Sequence, residues 1–210
     1  MRPNILDVGR IYGTMMEEVK ARTETVFELA NGLREPVDGK HHRHNIFIFE
    51  GLYLHLRKIC ELLALSSLLI HNCDDLEQPI GKMDEISADK LINLVSKFNP
   101  DGFPRPVSIG SVDQQRETIH LRDDEFVFTG TELRNLYHTC GEILHVGRLR
   151  DILNEKQRTL DQAWVIQWCE KLIKGLGTHA IGFPDGERFL FVVMQTPDIP
   201  NVICRLLTRE

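Results

Sequence analysis

The chain lacks paired cysteines. Its five, Cys60, Cys73, Cys140, Cys169 and Cys204, lie far apart, with no Cys-x-x-Cys among them. That spacing argues against a zinc ribbon or a disulfide framework, and fits reduced thiols that serve as small core residues. Long apolar runs are also missing. The longest, "ICELLALSSLLI" at 59–70, is broken by Glu61 and falls short of the ~20 residues of a membrane span. The opening "MRPNILDVGR" has no apolar signal core. Together these absences predict a cytoplasmic protein with no membrane partner. There is no excess of positive charge: the formal net charge is −6. A wholly basic nucleic-acid coat is thereby excluded, while a local basic patch is not. Phosphate-loop, dinucleotide, His-Glu-x-x-His and Gly-x-Ser-x-Gly motifs are all absent, which disfavours NTPase, zinc-protease and α/β-hydrolase chemistry.

What is present is an ordinary globular composition. Of 210 residues, 42% are hydrophobic and 27% charged, enough for one domain with a sizeable core. Helical spacing dominates the first 176 residues. Ile11, Met15, Val19, Val26, Ala30 and Leu33 mark a first helix that should stop near Asn31-Gly32. A second runs over about 46–72, with Leu52, Leu56, Ile59, Leu63 and Ile70 on one side and an apolar second half. A third covers about 87–100, starting at Ser87. A fourth follows Thr131 as N-cap, and a fifth spans about 155–175 with Trp164, Trp168 and Leu172 on one face. "DGFPRPVSIGS" reads as irregular, and 118–128 as a short hairpin turning at Asp123-Asp124. After 176 the pattern changes. Pro184-Asp185-Gly186 stands between two β-prone runs, a hairpin signal, and "NVICRLL" suits a third strand. The expected fold is mainly α: a bundle of four to five helices over 1–176 with a short internal β-hairpin, and a small β-hairpin appendage over 177–210 packed on it.

Candidate chemistry concentrates on the fourth helix. At roughly 100° per residue, Leu133, Leu136, Tyr137, Cys140, Ile143 and Leu144 form a core face, and Arg134, His138, Gly141 and His145 a second stripe. Neighbours on such a stripe touch, and Gly141 leaves a gap between them. Imidazole moves protons near neutral pH, and guanidinium grips phosphate oxygens. Arg134, His138 and His145 are therefore candidate catalytic residues for metal-free RNA cleavage. The same side chains also suit the solvated edge of an amphipathic helix. On the second helix Glu50, Arg57 and Glu61 share one side, and Arg57 and Glu61 are candidates to orient a histidine. In "KHHRH" (40–44), His41, His42 and His44 sit in a loop with too few nearby carboxylates for a metal site. His42 and Arg43 there, with Arg148 and Arg150 after the fourth helix, are candidate phosphate contacts. No cofactor or metal is expected.

"LRKICELLAL" (Leu56–Leu65) and "LYHTCGEILHVG" (Leu136–Gly147), joined through "NPDGFPRPV", resemble a pattern shared by a group of uncharacterised bacterial proteins. More loosely, a helical bundle with an Arg-His helix near its end resembles the HEPN superfamily. That resemblance implies a homodimer and metal-independent ribonuclease activity in toxin–antitoxin or phage-defence settings. The HEPN motif places four to six residues between its Arg and its His. Here Arg134 is separated from His138 by three residues and from His145 by ten. The spacing favours a non-catalytic or weakly catalytic HEPN-like module that dimerises and binds RNA or protein. The alternative is a metal-independent endoribonuclease built on Arg134, His138, His145, Glu61 and Arg57.

Overall fold

A computed structural model describes residues 5–34, 43–71, 87–98, 102–113, 118–125, 127–145 and 161–209. Five helices and five strands are present among them: α1 (Ile5–Asn31), α2 (Arg43–His71), α3 (Ala88–Phe98), β1 (Arg105–Asp113), β2 (Thr118–Asp123), α4 (Gly130–Leu144), α5 (Gln162–Leu176), β3 (Thr178–Gly182), β4 (Arg188–Val193) and β5 (Ile203–Thr208).

The helices form because their apolar residues recur at three- and four-residue intervals. Along α1 the buried line is Val8, Tyr12, Met16, Val19, Thr23, Val26 and Ala30. Ile11 and Met15, expected in the core, are only partly covered, because adjacent apolar pairs leave two faces equally eligible and packing chose Tyr12 and Met16. The α2 stripe is the expected one: Leu52, Leu56, Ile59, Leu63 and Ile70 are all fully buried. Ser66 and Ser67 are buried too, so the second half of α2 is covered on most sides. The N-cap of α4 is Thr129 rather than Thr131. Its hydroxyl accepts from the Glu132 amide, and the Glu132 carboxylate accepts from the Thr129 amide, closing a capping box. Asp161 caps α5 by accepting from the Trp164 amide.

The expectation of a mainly-α bundle with small separate hairpins is wrong. The strands form one five-stranded antiparallel sheet in the order β2-β1-β3-β4-β5. The internal hairpin is longer and displaced: its first strand is "RPVSIGSVD", the segment expected to be irregular. The join is the pairing of Arg105 with Ala180 and Pro106 with His179. Pro106 is tolerated because it lies at the start of its strand, where the missing N–H breaks little of the ladder. Gly110 marks a bulge between Ile109 and Ser111. The hairpin turn after β3 is as expected. Gly186, at φ +74°, takes the left-handed position, and the Asp185 carboxylate accepts from the Glu187 and Arg188 amides.

The sheet is two-faced. Ile181, Leu190 and Val192 join the main core with α1, α2, α4 and α5. Val107, Ala180 and Phe191 form a smaller cluster with Leu121, Phe189, Val193 and Leu207. One buried polar relay ties the layers. The Tyr12 hydroxyl lies 2.8 Å from Nε2 of His179, whose Nδ1 lies 2.7 Å from the Leu176 carbonyl oxygen. The carbonyl can only accept, so Nδ1 carries the proton and Nε2 accepts from Tyr12. Burial pushes the His179 pKa down to about 4, so the ring is neutral near pH 7.

Candidate functional site

The expected polar stripe lies where α4 meets α2 and α3. Leu133, Leu136 and Cys140 point inward and are buried, which turns the next strip of α4 toward the two neighbouring helices. At that seam Gly141 is buried and lacks a side chain, and the Arg57 guanidinium of α2 occupies the space. A Cβ at Gly141 would collide with Nη1 of Arg57. The gap read from the sequence is therefore present but filled from inside the chain.

Arg57 is held on three sides. Nη2 donates to the Tyr137 hydroxyl at 2.6 Å, and the guanidinium carbon sits 4.1 Å from the Tyr137 ring centroid. Its Nε lies 3.5 Å from the Glu61 carboxylate, whose other oxygen accepts from Lys58 at 2.7 Å. Burial raises the Tyr137 phenol pKa, against the pull of the Arg57 charge. Tyr137 thus keeps its proton and serves as an acceptor for Arg57.

A second set bridges α4 to α3. Arg134 donates to the Asn93 side-chain oxygen at 3.0 Å, and its Nε is buried with no hydrogen-bond partner among the described residues. One turn on, Nε2 of His138 lies 3.6 Å from the Asp89 carboxylate. The Ser87 hydroxyl holds the Asp89 carboxyl below the usual carboxylate range, and His138 adds to the effect. Arg134 and His138 are four residues apart, as are Asp89 and Asn93. The two helices meet antiparallel, so the pairs match.

The candidates do not converge on one point. Arg57 and Glu61 share the Tyr137 seam, while Arg134 and His138 face α3. His145 stands at the C-terminal end of α4, exposed, with its backbone N–H donating to the Gly141 carbonyl. At ~1.5 Å per residue it lies roughly 16 Å along the axis from Arg134. His42, Arg148 and Arg150 lie outside the described residues. Arg43 opens α2, but its side chain lies outside them too. Tyr137, Asp89 and Asn93 were missed by sequence reasoning. Tyr137 was read as core, and its hydroxyl has no sequence signal. The four-residue spacing of Asp89 and Asn93 on a predicted helix was the one available clue.

Cys140 and Cys60 lie beneath this seam, both fully buried. Burial pushes the Cys140 thiol up to about 12 and that of Cys60 higher than its ordinary value, so neither is a thiolate nucleophile near neutral pH. Among the described residues no three His, Cys, Asp or Glu side chains are grouped to hold a metal, and no helix is long and apolar enough to cross a membrane. Compared with known proteins, the chain matches no family model, no curated protein and no solved structure.

Proposed function

We propose that this protein is a non-catalytic module that works by association, as a dimer or with an RNA or protein partner. The observation that carries the reading is the state of Arg57. The Arg57 guanidinium beside Gly141 is spent on Tyr137 and Glu61 and fills the gap itself. A phosphate bound there would have to displace a charge-assisted hydrogen bond and an ion pair. Arg134 and His138 likewise have partners on α3, and His145 is too distant to share a substrate bond with Arg134. Association needs an uncovered apolar surface, and α2 carries one in Phe47, Leu54 and Leu65.

The second reading, a metal-independent endoribonuclease, has one observation in its favour: Arg134 and His138 stand one turn apart, and more than half of the His138 side chain is open to solvent. RNA cleavage with EDTA present, on wild type and on the His138→Ala and Arg134→Ala variants, separates the two. Intact RNA with all three proteins is the expected result. Cleavage by wild type that either variant loses would overturn the non-catalytic reading.

A further inference from the structure

We propose that the cavity between α1 and α5 binds a small amphiphilic cation, an aryl or branched-alkyl body carrying one ammonium group. The site is separate from the α2–α4 seam and goes beyond the association reading. Its volume is about 170 Å³. An apolar cavity of about 150 Å³ takes a benzene ring, so the space suits one ring with a short tail. Val19, Thr23, Leu172, Leu176 and Met194 line it and are all buried. The Thr23 hydroxyl donates back to the Val19 carbonyl at 2.8 Å, so its proton is spent within α1. The mouth opens at Glu24, Gln195 and Ile173, all exposed. A mainly apolar pocket with a few polar groups at one end is the usual form of a small-molecule site.

The charge at the mouth selects a cation. Lys20 and Glu24 lie one turn apart on α1, and both border the cavity. The Lys20 ammonium is already matched: it lies 2.8 Å from the Glu17 carboxylate and donates to the Pro200 carbonyl. Glu17 also accepts from the Val202 amide. These bonds turn Lys20 toward the β4–β5 connection and pin that connection to α1 beside the cavity. Glu24 has no hydrogen bond or ion pair among the described residues. Lys174, the next cation on α5, borders a different groove with Asp124 and Thr178. Glu17, Lys20 and Glu24 together carry one surplus negative charge, and the unmatched carboxylate is the one at the mouth. An anionic ligand would meet that carboxylate with only a spent ammonium to offset it. A neutral apolar ligand would leave it unused. A ring in the cavity with an ammonium at the mouth matches both the apolar floor and Glu24. The Gln195 side-chain oxygen is a further acceptor at the same rim.

Calorimetric titration of the full chain with 2-phenylethylammonium and with 3-phenylpropionate, at low salt, tests this. The ammonium should bind saturably at one site per chain. It should bind about tenfold tighter than the carboxylate, because an exposed carboxylate attracts one probe and repels the other by a few-fold each. Glu24→Gln should cut that preference to about twofold or less, since the charge is removed and the cavity is kept. Thr23→Met fills the cavity from its floor and should abolish binding of both probes. Ile173→Trp closes the mouth from an exposed position and should do the same should Thr23→Met fail to fold. Circular dichroism checks each variant. In methionine-methyl NMR spectra the ring of the bound probe should shift the Met194 resonance, identified by its loss in Met194→Leu. Absence of saturable ammonium binding overturns the proposal. So do equal affinities for the two probes, and binding that survives both filling variants. None of these results touches the non-catalytic reading, which the RNA assay decides separately.

Discussion

The Arg57 guanidinium lies where a side chain on Gly141 would be, and this one relationship sets the character of the α2–α4 seam. A glycine in the middle of a helix ordinarily weakens it by about 1 kcal/mol relative to alanine. Here the missing methyl makes room for a cation that reaches the Tyr137 hydroxyl and ring from the neighbouring helix. What looks in the sequence like an opening for a ligand is a socket for the chain's own arginine.

Gly141→Ala should therefore have opposite signs in two backgrounds. In the wild type it displaces Arg57 from Tyr137, costing about 2 kcal/mol for the lost charge-assisted hydrogen bond, and the gain in helix propensity offsets only part of that. In an Arg57→Ala background the collision is gone, and the same change should stabilise by up to about 1 kcal/mol. Urea unfolding of the four proteins measures the cycle. Destabilisation of equal size in both backgrounds would show that Arg57 does not occupy the socket in solution.

The buried His179 makes stability depend on pH in a defined window. Its folded pKa, about 4, lies below the 6.5 of the unfolded chain, so the unfolded state binds the proton more readily. The stabilisation is complete above pH 6.5, declines as pH falls toward 4, and is lost below that. The full drop is worth roughly 3 kcal/mol. Asp89, Glu132 and Asp185, whose carboxyls are held below their ordinary values, lose their contributions only at lower pH. Unfolding free energies at pH 7 and pH 4.5 should differ clearly in wild type. His179→Gln should be less stable at pH 7 and show a much flatter dependence between those values. An unchanged slope in the variant would place the titrating group elsewhere.

Thiol chemistry gives a third check. Burial pushes Cys140 and Cys169 up to about 12, Cys60 upward as well, and the half-buried Cys204 to about 11. With Ellman's reagent at pH 8, Cys60, Cys140 and Cys169 should react only on unfolding, and Cys204 should be the fastest of the four. Peptide mapping of the labelled protein identifies the sites. Early labelling of Cys140 in the folded chain would mean that the α2–α4 seam opens far more readily than its packing implies.

Much of the helical part was legible from sequence. The stripe of α2, the end of α1 near Gly32 and the core face of α4 each follow from residues three or four apart. Such residues meet on a helix surface whatever the rest of the chain does. The Pro184-Asp185-Gly186 turn was legible for a similar reason, since only a few consecutive residues fix it. The candidate stripe of Arg134, His138, Gly141 and His145 was correct as a line along one helix. Which groups its members meet depends on what the facing helices contribute, and that could not be read from α4 alone.

The sequence by itself determined where helices form and which residues fill the α2 stripe. Tertiary structure decided the rest. The pairing of Arg105 and Pro106 with Ala180 and His179 joins two apparent hairpins into one sheet across more than seventy residues. No local period encodes a contact of that range, and Pro106 argued against a strand where one exists. The choice of Tyr12 and Met16 over Ile11 and Met15 came from the neighbours against which α1 packs. The partners of Arg57, Arg134 and His138 came from α4, α3 and α3 in turn. A side chain's type sets the bonds it can make, but its partner is chosen by which elements the hydrophobic core brings together.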